Sequence, residues 1–264
     1  MVNLGLTIEN LELLIRVGLD DIKSGTGDDD QGKKLTTLAL YYRELGVALY
    51  LSTGDPASFA GSLAKGVQAR LHYLRRHAEG KVPDSLRYNT TLQNRAFFDA
   101  LAIGDLASAS ELVRLCDSRW YPDFEYEDDF LFADFLQRFF LVLHDGAGKA
   151  LAEQNLARLA GVLEGQASPE HDLCAALVGE DAEGFDAAFT ALLNRRRAKF
   201  KEILTLPPEV VATEKHVFVN GIGIVLLARG AGLATQEEYP TVPRPLLRLP
   251  PHARVAPEAW RRLR

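Results

Sequence analysis

Two His-Asp dipeptides, His144-Asp145 and His171-Asp172, are the residues in this chain whose types could do chemistry. An imidazole beside a carboxylate can hold a metal ion, and all-helical metal-dependent phosphohydrolases use that combination. Both pairs also have a plain structural reading. His144-Asp145-Gly146 has the form of a helix stop, with a basic side chain in the last turn where the helix dipole favours it. His171 and Asp172 follow Ser168-Pro169-Glu170, a helix start that favours carboxylates. The E-x-x-H spacing of di-iron bundles is absent, as are G-x-S-x-G, H-E-x-x-H and a P-loop. Hydrolysis through His144, Asp145, His171 and Asp172 is therefore the third-ranked reading. No catalytic residue, metal or cofactor is expected.

Gly221-Ile-Gly223 opens like a dinucleotide-binding loop, but Leu226 stands where the third glycine belongs and no βαβ pattern surrounds it. Small residues that let helices pack closely explain it better. Cys116 and Cys174 each sit in an apolar helical pattern and read as buried small hydrophobes, with no zinc spacing around them.

A different kind of signal lies at Trp120-Tyr-Pro-Asp-Phe-Glu-Tyr-Glu-Asp-Asp-Phe130, where aromatic rings alternate with carboxylates. Between Asp117 and Asp134 there are seven acids and one base, Arg119. Asp128 and Asp129 suit the first turn of a helix, whose dipole favours acids. Phe130, Leu131, Phe135, Leu136, Phe139, Phe140 and Leu143 follow helical spacing and are expected in the core. Neither argument accounts for Asp123, Glu125 and Glu127 alternating with Tyr121, Phe124 and Tyr126. Rings flanked by charge suit interface anchors, because they bring large contact area at low entropy cost. The expected partner-binding set is Trp120, Tyr121, Asp123, Phe124, Glu125, Tyr126, Glu127, Asp128 and Asp129.

The elements that position these residues are helical. Apolar residues recur at helical spacing through Leu11–Leu19, Lys34–Ser52, Phe59–Leu74, Leu92–Ile103, Leu106–Leu115, Asp128–His144, Leu151–Leu163, Glu170–Val178, Phe185–Leu204 and Glu214–Ala228. Asp55-Pro56 starts one helix as Gly54 ends its predecessor. Turn signals at Gly54, Gly104, Gly146 and Gly179 fall 50, 42 and 33 residues apart. That is too irregular for a strict tetratricopeptide array, which repeats at ~34. The expected fold class is all-α: antiparallel helical hairpins in series, as an irregular multi-helix or degenerate tetratricopeptide-like repeat. Only His216–Val219 and Arg244–Leu249 are strand candidates. One all-helical domain over 1–264 is expected, with a mobile polar loop at 23–33 and a Pro/Arg-rich segment at 235–264. That segment either folds back onto acidic helices or stays loose, with helix only near Pro257–Arg264.

Charge narrows the partners. The 264 residues carry a formal net charge of −6 and a pI near 5.6, which disfavours nucleic acid and favours basic partners. The basic run Arg195, Arg196, Arg197, Lys199 and Lys201 has one interleaved aromatic, Phe200, and reads as a solvated face near a helix C-terminus. No run reaches the ~20 apolar residues of a membrane helix. Met1–Glu9 lacks the basic region of a secretory signal, so the cytoplasm is expected.

Three stretches resemble the immunity protein 49 family of bacterial polymorphic-toxin systems. They are Leu38–Asp55, the acidic helix start Tyr126–Gln137, and Asn220–Ala228 followed by Gly232-Leu233, Tyr239-Pro240 or Val242-Pro243, and Leu246-Leu247. The resemblance spans roughly 33–250. It implies a helical protein that neutralises a cognate toxin by binding, without catalysis, and it supplies no catalytic residues. Joined to the acidic segment, it implies a basic toxin such as a nuclease, with no direct nucleic-acid or membrane contact. A helical-repeat adaptor for another protein is the second reading.

Overall fold

The computed structural model describes residues 3–24, 31–82, 86–203, 205–250 and 255–263. Helix α1 (Leu4–Ser24) buries Thr7, Leu11, Ile15 and Leu19, four positions spaced by one turn that form a single stripe. It lies along α2 (Gln31–Thr53), which forms a hairpin with α3 (Pro56–Ala78). The expected turn is present. Gly54 adopts a φ of 71°, and the Asp55 carboxylate accepts from the N–H groups of Ala57 and Ser58 at 3.0 Å each. Close approach of these two helices needs glycine: a Cβ on Gly66 would lie 2.9 Å from the Ala39 carbonyl oxygen. The mobile-loop expectation centres on residues 25–30, which lie outside the described residues.

After the short α4 (Leu86–Asn89) and a 3-10 turn at Thr91–Gln93, helix α5 spans Arg95–Ala102. The helix predicted from Leu92 thus starts three residues late. The reason is a non-local pairing: Asp117 N–H donates to the Asn89 carbonyl at 2.9 Å, and Thr91 N–H donates to Asp117 at 3.0 Å. Asn94 and Thr91 are also bridged by Gln137, whose amide accepts from Asn94 at 2.6 Å and donates to the Thr91 carbonyl at 3.1 Å.

The following hairpins are α5 with α6 (Leu106–Leu115), α7 (Glu127–Asp145) with α8 (Lys149–Leu163), and α9 (Pro169–Val178) with α10 (Ala182–Glu202). Gly104 and Gly146 take φ of 72° and 69° as expected of turn glycines. Gly179 does not; its φ is −80°, and Glu180 takes the left-handed conformation instead at 54°.

Then come α11 (Pro208–Ala212), α12 (Val219–Gly230) and α13 (Arg244–Leu247). Both strand candidates are corrected here. His216–Phe218 is a turn leading into α12, and Arg244–Leu247 is a helical turn with Pro243 at its cap and Pro245 in its first turn, where a missing N–H costs nothing. No strand is present among the described residues; the fold is all-α. α12 packs on α5, and a Cβ on Gly223 would come within 3.1 Å of Phe98. The Gly221-Ile-Gly223 motif therefore lies inside a helix and serves close packing.

Nearly all helices share one buried cluster, with Cys116 and Cys174 buried inside it. Of the expected α7 core positions, Leu143 is the exception at 40% exposure. The tail folds back rather than staying loose, and α13 is a helical turn that lies before the Pro257–Arg264 stretch where helix was expected. Residues 255–263 return to α2 and α3, and form a 3-10 turn at Ala259–Arg261. Tyr42 donates to the Trp260 carbonyl at 2.7 Å, Lys65 donates to the Leu263 carbonyl at 2.7 Å, and Gln68 donates to the Ala256 carbonyl at 3.0 Å. The Trp260 side chain is buried against α3.

Candidate functional site

The segment before α7 is a folded loop, closed by its own contacts. The N–H groups of Phe124 and Glu125 both donate to the Tyr121 carbonyl at 3.0 Å, which makes a tight turn. Trp120 donates its indole N–H to the Glu125 carbonyl at 3.1 Å and packs beside Phe130, Leu131, Leu159 and Leu163. Arg158 lies 5.6 Å from the centre of the Trp120 ring and pairs with Glu127 at 2.5 Å. The Tyr121 hydroxyl donates to Asp117 at 2.5 Å, and Arg119 pairs with the same carboxylate at 2.8 Å. Burial and the Asp117 charge push the Tyr121 hydroxyl up to about 12.

These contacts divide the nine expected residues. Trp120 and Tyr121 are half-buried braces, and Glu127 is half-buried and held by Arg158. Glu125 faces inward at 8% exposure, beside Thr90, and burial raises its pKa above the usual carboxylate range. The outward residues are Asp123, Phe124, Tyr126, Asp128 and Asp129. Phe124 is 56% exposed and Tyr126 80%. Such exposure of rings on a loop that is internally braced is not what packing alone requires.

The basic run of α10 is brought near this loop. Burial and Asp128 raise the Asp129 pKa, while Lys199 and Arg195 pull it down. Arg195 pairs with Glu170. Arg196 departs from the solvated face expected of it. It is half-buried between the rings of Phe200 and Phe218, and donates to the Glu214 carbonyl. Burial lowers its pKa to about 10.

The His-Asp pairs serve their helices. His144 stacks on Phe140 with ring centres 5.4 Å apart, and Asp145 pairs with Arg114. His171 sits beside Asp172 at 3.4 Å in the first turn of α9. Among the described residues, no group of three His, Cys, Asp or Glu side chains is placed to hold a metal ion. The phosphohydrolase reading gains nothing from this geometry.

One constellation was missed from sequence. Arg43, 2% exposed, reaches Asp99 at 3.2 Å, Glu214 at 3.6 Å and Asn220 at 2.5 Å. Arg95 reaches Glu214 from the other side at 3.6 Å. Burial raises the Asp99 pKa against the pull of Arg43. Glu44, beside Arg43, is pushed up to about 7 by burial and by the neighbouring Glu214 and Glu209. The available signal was Arg43-Glu44 interrupting the apolar face of Leu38, Tyr42 and Leu45, and Asp99 within Ala96–Ala102. Charges at such positions are costly to bury and must be paired.

Fold and surface together define an all-helical protein of serial hairpins. The chain belongs to the immunity protein 49 family, whose family model matches residues 85–246. No curated protein and no solved structure matches it. The match takes in the loop before α7 and the Asp99, Arg95 and Glu214 part of the ion cluster; Leu38–Asp55 lies outside it. No helix among the described residues is long and apolar enough to cross a membrane.

Proposed function

We propose that this protein neutralises a cognate bacterial toxin by binding it directly and occluding its active site, in the cytoplasm and without catalysis of its own. Family membership supports an immunity role. The contact surface is the loop Trp120–Asp129, and the observation that carries it is the exposure of Phe124 and Tyr126 among the exposed carboxylates Asp123, Asp128 and Asp129. The rings supply contact area, and the acids steer a basic toxin such as a nuclease. Trp120, Tyr121, Glu125 and Glu127 hold the loop in shape.

The test is co-expression with the product of each adjacent gene, scored by rescue of growth. The parent should rescue against one product, and Phe124→Ala/Tyr126→Ala should lose that rescue while melting as the parent does. Equal rescue by the double variant overturns the assignment of this surface. A pull-down returning other cellular partners and no neighbouring toxin would favour the adaptor reading.

A further inference from the structure

Helix α1 buries one apolar stripe and exposes another. On the outward face, opposite Thr7, Leu11, Ile15 and Leu19, stand Leu6, Asn10, Leu13 and Val17. Their alternating spacing of four and three residues keeps them on one line of the helix, as in the seam of a two-helix coiled coil. Leu6 is 53% exposed, Leu13 56% and Val17 51%. Beside this seam a groove of about 300 Å³ runs between α1 and α2, walled by Leu14, Val17, Gly18, Leu38 and Tyr41. Glu9 and Arg16 flank the seam on its other side, both exposed.

We infer that a second copy of the chain covers this face, its α1 running antiparallel to the first about a two-fold axis. The face is complementary to itself in that arrangement. With the axis midway between Asn10 and Leu13, Leu6 of each copy comes level with Val17 of the other, at the mouth of the groove. The exposed leucine and the apolar groove thus meet twice. The same register sets Glu9 of each copy against Arg16 of the other, and Asn10, the one polar residue in the seam, helps to fix it. Parallel pairing would bring Leu6 level with Leu6 and Glu9 level with Glu9, and offers neither contact. A membrane surface fits less well. The exposed charges of α1 are Glu9, Asp20 and Asp21 against Arg16 and Lys23, whereas an interfacial helix is rich in bases. α1 is 21 residues long, about 31 Å, so the pair buries less than the ~1,600 Å² of a standard interface and the dimer should be weak. α1 lies outside the family match at 85–246, and the inference does not depend on the toxin reading.

The experiment is sedimentation equilibrium of the full chain. It should show a monomer–dimer equilibrium with a Kd on the order of 10–100 μM. Leu13→Lys/Val17→Lys should weaken association by about a hundredfold or more while melting as the parent does. Glu9→Arg and Arg16→Glu should each weaken the dimer about tenfold alone, by setting like charges together. An equal mixture of these two variants should recover the parent's affinity, because the mixed pair again sets a glutamate against an arginine at both ends. A monomer at about 500 μM overturns the proposal, as does a dimer that Leu13→Lys/Val17→Lys leaves intact. Single reversals without effect overturn the antiparallel register. Co-sedimentation of a monomeric parent, but not of Leu13→Lys/Val17→Lys, with vesicles of phosphatidylcholine and phosphatidylglycerol would give the face to a membrane instead and overturn the dimer.

Discussion

Trp120 donates its indole N–H to the main-chain carbonyl of Glu125, five residues on, and so closes the loop before α7 over its own turn. The ring also rests on Phe130 and Leu159. Trp120→Phe keeps most of the packing and removes the donor. We expect a loss of about 1 kcal/mol, the usual net worth of one such bond. Trp120→Ala should lose about 3 kcal/mol or more. Urea unfolding midpoints of the three proteins check both values.

Charge reversal must respect which carboxylates face out. Asp123→Lys/Asp128→Lys/Asp129→Lys should slow association with the toxin about tenfold at low salt, and less as salt screens the field. Stopped-flow association rates at two ionic strengths measure this, and an unchanged rate would remove the steering role. Reversal at Glu125 and Glu127 tests something else. Glu125 is inside, and Glu127 is paired with Arg158, so those changes should lower the melting temperature first.

The difference between these two sets was not legible in the sequence. Alternation of rings and acids located the segment, but a two-residue period suggests that every second side chain faces out. The tight turn on the Tyr121 carbonyl breaks that period and turns Glu125 inward. Helix existence was legible nearly everywhere, because one-turn spacing such as Leu11, Ile15 and Leu19 reports directly on a buried stripe. Boundaries set by distant partners were not, as at Asn89–Asn94, where Asp117 and Gln137 decide the backbone. The Arg43 cluster was hidden for the same reason: its members are scattered over α2, α5, Glu214 and α12, and only packing brings them together.

Glu44 should make stability fall as pH rises. Its folded pKa, about 7, lies above the unfolded value near 4.5, so the folded state holds the proton more tightly. The stabilisation is complete below about 4.5 and is lost as pH climbs through about 7. Glu44→Gln removes this dependence. Relative to the parent, the variant should gain on the order of 3 kcal/mol between pH 4 and pH 8. Denaturant melts at those two pH values provide the comparison, and a difference that does not change with pH contradicts the assignment.

Glu180 and Glu164 hold left-handed backbone, with φ of 54° and 50°, where a Cβ is unfavourable. Gly at either site removes that strain but adds unfolded-state entropy. The balance should be a gain of about 0.5 kcal/mol each, visible as a higher melting temperature. Gly179→Ala, one residue earlier at φ −80°, should not behave this way, because the Ala175 carbonyl oxygen lies 3.3 Å from where its Cβ would be.

Trp260 is 1% exposed, and its carbonyl accepts from Tyr42. Trp260→Ala should cost about 3–5 kcal/mol and loosen the middle of α2 and α3 as well as the tail. Hydrogen exchange would then show loss of protection around Tyr42 and Gln68.

That contact spans 218 residues of sequence. Synthesis at ~5–20 residues per second puts roughly 10–40 s between the emergence of Tyr42 from the ribosome and that of Trp260. Throughout that interval the place that Trp260 fills beside Tyr42, Gln68 and His72 stays open. The tail contact therefore forms only after the rest of the fold has been made, and the pace of translation sets when it can form.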